Sequence, residues 1–192
     1  MQNFKLLASK VPVERLLSAI ESQPELWGEI TARQDTPGSA HKYTEAIFLR
    51  WCETKTVAAA FTEIPAVDYK AYSKLPEARE LVEFVESLVG SKELGRVLVV
   101  KLKSGGEIFP HPDEGQYADH YERFHVSLKS DQGNLFFSGE PGKAFEAVHM
   151  EPGEIWWFNH KRVHWVVNSS VNPRIHLIID CVAPKYRRPR DA

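Results

Sequence analysis

The sequence predicts a mainly β domain with flanking helices (α+β), built on an antiparallel sandwich or barrel, and three observations carry that prediction. From Gly95 onward, short aromatic and β-branched runs alternate with Gly-, Pro- and Asn-containing breaks, the rhythm of antiparallel strands rather than βαβ units. Before Gly95, two apolar stripes recur at helical spacing. The 192 residues, 43% hydrophobic and 26% charged, suffice for one domain with an ordinary core.

In chain order, Pro12 opens a short helix in which Val13, Leu16, Leu17 and Ile20 form one stripe; a proline in the first turn loses no helical hydrogen bond. Arg33-Gln34-Asp35-Thr36-Pro37-Gly38-Ser39-Ala40-His41 reads as a loop because of its Pro-Gly pair, and Ala46 to Trp51 as a strand. A longer helix is expected from Ser73 to Val89, with Pro76 in its first turn, Leu81, Val85, Leu88 and Val89 on one face and Gly90 as its stop. Arg96 to Leu102 reads as a buried strand and Ser104-Gly105-Gly106 as a turn. Further strands are expected at Arg123–Leu128, Leu135–Ser138, Ala144–His149, Ile155–Phe158, His164–Asn168 and Arg174–Val182. The chain is thus expected to be a single domain, 1–192, with a helix-rich flank (1–94), a strand-rich core (95–184) and a solvated basic tail (185–192).

Lys plus Arg number 24 and Asp plus Glu 26, a formal net charge of −2, so no global field favours nucleic acid or an acidic membrane. No apolar run approaches the ~20 residues of a bilayer span. Met1 to Lys10 lacks the apolar block of a secretory signal. Cys52 and Cys181 are too few for a disulfide framework or a zinc ribbon and read as reduced thiols of a cytoplasmic protein.

All the histidines but His41 lie at or beyond His111, and the sharpest local signal is His111-Pro112-Asp113. On an extended segment, residues two apart project to one side, so an imidazole and a carboxylate can reach one ion. His164, at the start of a strand after the turn Asn159-His160-Lys161-Arg162, is the best candidate for a third ligand. Two histidines and a carboxylate on one face leave coordination positions open, which suits non-haem Fe(II) oxygen chemistry. Alternation places Arg174, His176 and Ile178 on one strand face and Ile175, Leu177 and Ile179 on the other. An arginine pointing into a barrel is costly without an anion, and a dicarboxylate supplies one through two charge-assisted hydrogen bonds. Solvent, or an acidic side chain, is the alternative neighbour for Arg174. Arg123, His125 and Ser127 share a face by the same alternation, opposite Phe124, Val126 and Leu128, and either set can be the core face.

The order of these motifs resembles the aspartyl/asparaginyl β-hydroxylase family of Fe(II)- and 2-oxoglutarate-dependent dioxygenases. The resemblance rests on Ile108-Phe109-Pro110-His111-Pro112-Asp113, Arg123-Phe124-His125, Gly153 to Asn159, His164 to Asn168 and Arg174 to Asp180, and covers about Gly95 to Val182 together with the segment from Thr36-Pro37-Gly38 to Arg50. It implies a double-stranded β-helix (jelly-roll, cupin-like) core with helices packed against it. By position it implies His111, Asp113 and His164 as ligands of Fe(II), and Arg174 as the anchor of the distal carboxylate of 2-oxoglutarate. Arg123 and His125 match the family's Arg-x-His element beside cosubstrate and substrate. Some members lack the carboxylate ligand; Asp113 fills that place here.

The activity implied by the resemblance is O2-dependent hydroxylation of an amino-acid or peptidyl (Asp/Asn-like) side chain, with succinate and CO2 as coproducts. The expected partner is therefore a small-molecule amino acid or a peptidyl substrate, not nucleic acid or a membrane. Three other readings stand beside it: 2-oxoglutarate-dependent oxidation of another small metabolite, a non-catalytic cupin-like binding module, and a Zn²⁺ hydrolase, since the same ligand types suit zinc. Of the remaining histidines, His160 is the rival to His164 as a ligand. His120 and His149 read as surface or sheet-edge residues, His176 as a neighbour of the pocket, and His41 as part of an active-site loop with Arg33. Trp156, Trp157 and Trp165 read as core aromatics or apolar walls of the site.

Overall fold

Strand- and helix-forming stretches follow one another as β1 (Phe4–Ala8), α1 (Glu14–Glu21), α2 (Ala32–Asp35), β2 (Thr44–Trp51), α3 (Ala59–Thr62), β3 (Val67–Asp68), α4 (Lys70–Lys74), α5 (Pro76–Val89), β4 (Leu94–Leu102), β5 (Glu107–His111), α6 (Gly115–His120), β6 (Glu122–Lys129), β7 (Asn134–Gly139), β8 (Glu146–Val148), β9 (Ile155–Phe158), β10 (Val163–Asn168) and β11 (Arg174–Cys181). The computed structural model describes residues 2–54, 56 and 58–188; the last residues of the basic tail, 189–192, lie outside them.

The strands form two antiparallel sheets, one ordered β1-β9-β6-β11-β4-β2-β3 and the other β5-β10-β7-β8. From β4 to β11 the chain crosses between them repeatedly, so strands distant in sequence become neighbours. This is the jelly-roll, and it closes most strand edges against one another. The large sheet has two buried faces. Towards the helices it presents Val97, Val99, Phe124, Val126, Leu177 and Ile179, which pack on Leu16 and Ile20 of α1 and on Leu81, Val82 and Val85 of α5. Each such side chain, fully buried, contributes about 1.5–3 kcal/mol. Between the sheets lies a second cluster that includes Phe4, Leu102, Phe136, Trp156 and Phe158. A third, of Ala46, Phe48, Leu98, Val100 and Ile178, lines one end of the same interior.

The expected strands are all present, with small changes of boundary: Ala144–His149 contracts to β8, and Arg174–Val182 ends at Cys181. The helix expected from Ser73 to Val89 is two helices. Leu75 breaks it at φ −125°, ψ 67°, because the ring of a following proline disfavours helical backbone in the residue before it. Pro76 then opens α5, and Gly90 closes it in the left-handed region at φ 70°, where a side chain would be strained. The expected loop at 33–41 begins with the single turn α2. Residues 1–94 also supply strands as well as helices: β1 pairs with β9 (Phe4 opposite Phe158) and β2 with β4. Cys52 and Cys181 are buried free thiols. No helix among the described residues is long and apolar enough to cross a membrane.

Candidate metal centre

His111 ends β5, His164 sits at the start of β10, and the antiparallel register of those strands sets the two directly opposite each other. Their ring centroids are 4.5 Å apart. Asp113 follows His111 by two residues, and its N–H donates to the His160 carbonyl (2.9 Å), which pins it to the turn before β10. One ligand atom from each of His111, Asp113 and His164 falls within 4.8 Å of the others. Sheet pairing thus brings together the three residues singled out from the sequence.

Hydrogen bonds select which atoms face the centre. The His111 Nδ1–H donates to the Phe109 carbonyl (2.7 Å) and the His164 Nδ1–H to the Arg162 carbonyl (2.9 Å). A carbonyl only accepts, so each ring carries its proton on Nδ1 and keeps a lone pair on Nε2. The His111 Nε2 is buried with no hydrogen-bond partner among the described residues and lies 3.9 Å from Asp113 Oδ1. Burial, with His111 adding to it, pushes His164 down to about 3, so it is a neutral imidazole at physiological pH. Burial alone would raise the Asp113 carboxyl, but Arg123, His160 and His164 outweigh it and hold it well below the usual carboxylate range. Two neutral imidazole lone pairs and one carboxylate make a donor set suited to a divalent transition metal.

Arg123, on the inner face of β6, donates to Asp113 Oδ2 (2.6 Å) and grips Asp180 with two bonds (2.8 and 2.9 Å). Arg123 therefore sits beside the three converging residues, with its guanidinium holding the Asp113 carboxylate. His160, the rival ligand, turns its Nδ1 to the same Asp113 oxygen (3.2 Å) and its Nε2 to the Tyr121 carbonyl (3.1 Å). It braces Asp113 from the other side.

Deeper between the sheets, Arg174 is buried, and no described carboxylate forms an ion pair with it. It donates to His176 Nδ1 (2.9 Å), and His125 Nδ1 approaches the same atom (3.3 Å). The Arg174 guanidinium is pushed down to about 9 by burial, and burial with Arg174 keeps His125 and His176 neutral. His125 Nε2, His176 Nε2 and Ser138 Oγ are buried and without a hydrogen-bond partner among the described residues. Buried polar atoms are rarely left so, and a bound polar molecule could satisfy those near Arg174.

On the outer side of the centre lies a cavity of about 410 Å³ bordered by His111, Asp113, Arg33, His41, Trp51 and Ile178. Gly115 lets α3 close on α6 there: a Cβ at this glycine would meet the Phe61 carbonyl oxygen at 2.5 Å. Trp156 and Trp157 are core residues, and Trp165 stacks on Phe137 at 4.8 Å; Trp51 is the tryptophan on the cavity wall. Sequence reasoning passed over Asp180, although its alternation with Arg174 and His176 already placed it on their face.

Two histidines and a carboxylate thus converge within a jelly-roll, in an arrangement that could hold a metal ion. The family profile described as aspartyl/asparaginyl beta-hydroxylase matches residues 24–184, and the chain belongs to that family. L-proline cis-4-hydroxylase of Rhizobium meliloti (strain 1021) is 29% identical over 122 residues, which are 64% of this chain and 41% of that protein. The chain thus spans less than half the length of this relative. Among solved structures, a prolyl hydroxylase from Trichoplax adhaerens, in complex with a hypoxia inducible factor oxygen degradation domain peptide fragment, has a TM-score of 0.65 at 10% identity, over 97% of this chain and 86% of that one. A 2OG-Fe(II) oxygenase family oxidoreductase from Burkholderia pseudomallei has a TM-score of 0.57 at 13% identity, over 76% and 71%. Such identities show a shared fold.

Proposed function

We propose that this protein is an Fe(II)- and 2-oxoglutarate-dependent dioxygenase that hydroxylates an amino acid, either proline-like, as the name of its relative suggests, or Asp/Asn-like, as the family name does. His111, Asp113 and His164 would hold the metal, and Arg174 the far carboxylate of 2-oxoglutarate. The observation that carries this reading is the convergence of two imidazole lone pairs and a carboxylate in the same interior as a buried guanidinium that pairs with no carboxylate among the described residues.

Iron with 2-oxoglutarate and O2 supplies the oxidation: a C–H bond becomes C–OH while the keto acid becomes succinate and CO2. The chain's own residues arrange it. Arg123 and His160 keep Asp113 ionised and fixed in direction. The Nδ1–H bonds of His111 and His164 lock their rings. Arg174 gives the cosubstrate a charge-assisted anchor, with Ser138, His125 and His176 as further polar contacts around it. Phe136 and Phe158 wall the interior and exclude water. The unpaired, buried Cys52 and Cys181 accord with a reducing compartment such as the cytoplasm.

The test is succinate formation, with gain of one oxygen atom by a candidate amino acid, under control of Fe(II), 2-oxoglutarate and O2. Turnover should need all three and should vanish in H111A and H164A. Full turnover by both folded variants, or turnover without O2, would overturn the reading.

A further inference from the structure

The cavity on the outer side of the candidate metal centre holds a second, partly buried guanidinium, that of Arg33, which forms no ion pair with a carboxylate among the described residues. Arg33, from α2, donates through one terminal nitrogen to His41 Nε2 (3.1 Å). Its other terminal nitrogen, Nη1, is buried and has no hydrogen-bond partner among the described residues. Arginine cannot accept, so His41 Nε2 is the acceptor and the His41 proton sits on Nδ1, a further buried donor without a partner there. Desolvation, with Arg123 adding to it, pushes Arg33 down to about 10. The carboxylates that act on it, Asp113 and Asp180, are already held by Arg123.

This arrangement is built rather than incidental. Ser39 Oγ donates to the Arg33 carbonyl and accepts from the His41 N–H. The Phe109 N–H donates to the Ala40 carbonyl (3.0 Å), which ties the loop to β5. The His41 ring stands edge-on to the His111 ring at 4.9 Å, so the donors are placed against the metal centre itself. Much of the rest of the cavity wall is apolar, formed by Ile30, Phe48, Trp51, Leu98 and Ile178, and Arg96, Glu114 and Tyr117 also border it.

We propose that Arg33 binds the carboxylate of the substrate, and that the substrate is a small free acid with an aliphatic body rather than a residue inside a peptide. A carboxylate supplies the anion that Arg33 lacks, and the apolar wall receives the carbon skeleton beside the ligand set. A residue within a chain has an amide where the free amino acid has its carboxylate, and an amide leaves the buried cation uncompensated. The proposal rests on the dioxygenase reading, which it deepens by naming the substrate class.

The experiment is anaerobic titration of the Fe(II)- and 2-oxoglutarate-loaded protein with L-proline, L-leucine and L-aspartate and with their primary amides, read by calorimetry. The aliphatic acids should bind about 10–100-fold more tightly than their amides, the scale of a charged hydrogen bond. R33M should lose that preference while its affinity for 2-oxoglutarate stays unchanged, and R33K should restore part of it. Equal binding of acid and amide throughout the series, or an intact preference in R33M, would overturn the proposal; the wild-type comparison decides even if R33M does not fold. A protein that forms no succinate yet keeps an Arg33-dependent preference for the acid would uphold this assignment and defeat the dioxygenase reading.

Discussion

On β11 the side chains of Ile175, Leu177 and Ile179 lie under the helices, whereas Arg174, His176, Ile178 and Asp180 face the other way, towards the sheet interior and the cavity. Both sets are buried to a similar degree, but they are chemically opposite. The helix-side face removes apolar surface from water and stabilises the fold. The inner face holds charged and polar groups out of water, and does so unevenly. Arg123 is saturated by Asp113 and Asp180, while Arg174 and Arg33 hydrogen-bond to histidines and form no ion pair with a carboxylate among the described residues. A buried cation that already has its anions is architecture; one without a carboxylate beside it is costly to hold unless an anion comes to it.

The two faces should respond differently to substitution. Inner-face ligand changes come first in size: H111A or H164A should abolish activity with little change in thermal stability, since each removes a donor rather than core packing. R174M should weaken 2-oxoglutarate binding by about 2–5 kcal/mol, roughly 30-fold or more. Its apo stability should be unchanged or higher, because an apolar side chain replaces an unpaired buried charge. Calorimetry and thermal melts together check this, and a strongly destabilised R174M would mean that the arginine has a structural role. R123M should lower metal affinity about 10–100-fold, the usual cost of losing a residue that orients a ligand, and should also destabilise the fold by about 3–5 kcal/mol, because it leaves the buried Asp180 carboxylate without its partner. Metal titration followed by tryptophan fluorescence measures it.

On the helix side, L177A should cost about 2–5 kcal/mol in denaturant unfolding and leave turnover of the folded fraction intact. The last prediction is a slope with pH. His164 is held at about 3, and His41, His125 and His176 are held well below their ordinary value by burial. The unfolded chain takes up protons below about pH 6.5 while these folded imidazoles do not. Apo-protein stability should therefore be fully present above about pH 6.5 and fall as the pH drops towards 3. Each histidine contributes about 1.4 kcal/mol per pH unit, and H164Q should remove one such share. A flat apo stability profile between pH 7 and 4 would show that these rings are charged in the fold.

Much of the fold and the site was legible in the sequence. Alternation along Arg174–Asp180 and Arg123–Leu128 separated the two faces of the sheet but left open which was inward, because both contain residues able to be buried. The structure decides it by packing α1 and α5 on the apolar set. The Leu75 break was legible too, since Pro76 requires it, yet the continuous apolar stripe concealed it. β1 was not found: Phe4 to Ala8 has no turn signal of its own and becomes a strand only because β9 offers it an edge.

By itself, then, the sequence determined the strand-rich core, the helical stripes and the candidate ligand and anchor residues, because side-chain periodicity and short-range turn chemistry are local properties. Only the tertiary structure decided that His111 lies opposite His164, that Arg123 is committed to Asp113 and Asp180, and that Arg174 and Arg33 pair with no carboxylate among the described residues. Whether a buried charge has its partner depends on strands brought together across the sheet and between sheets, and local periodicity does not encode that long-range pairing.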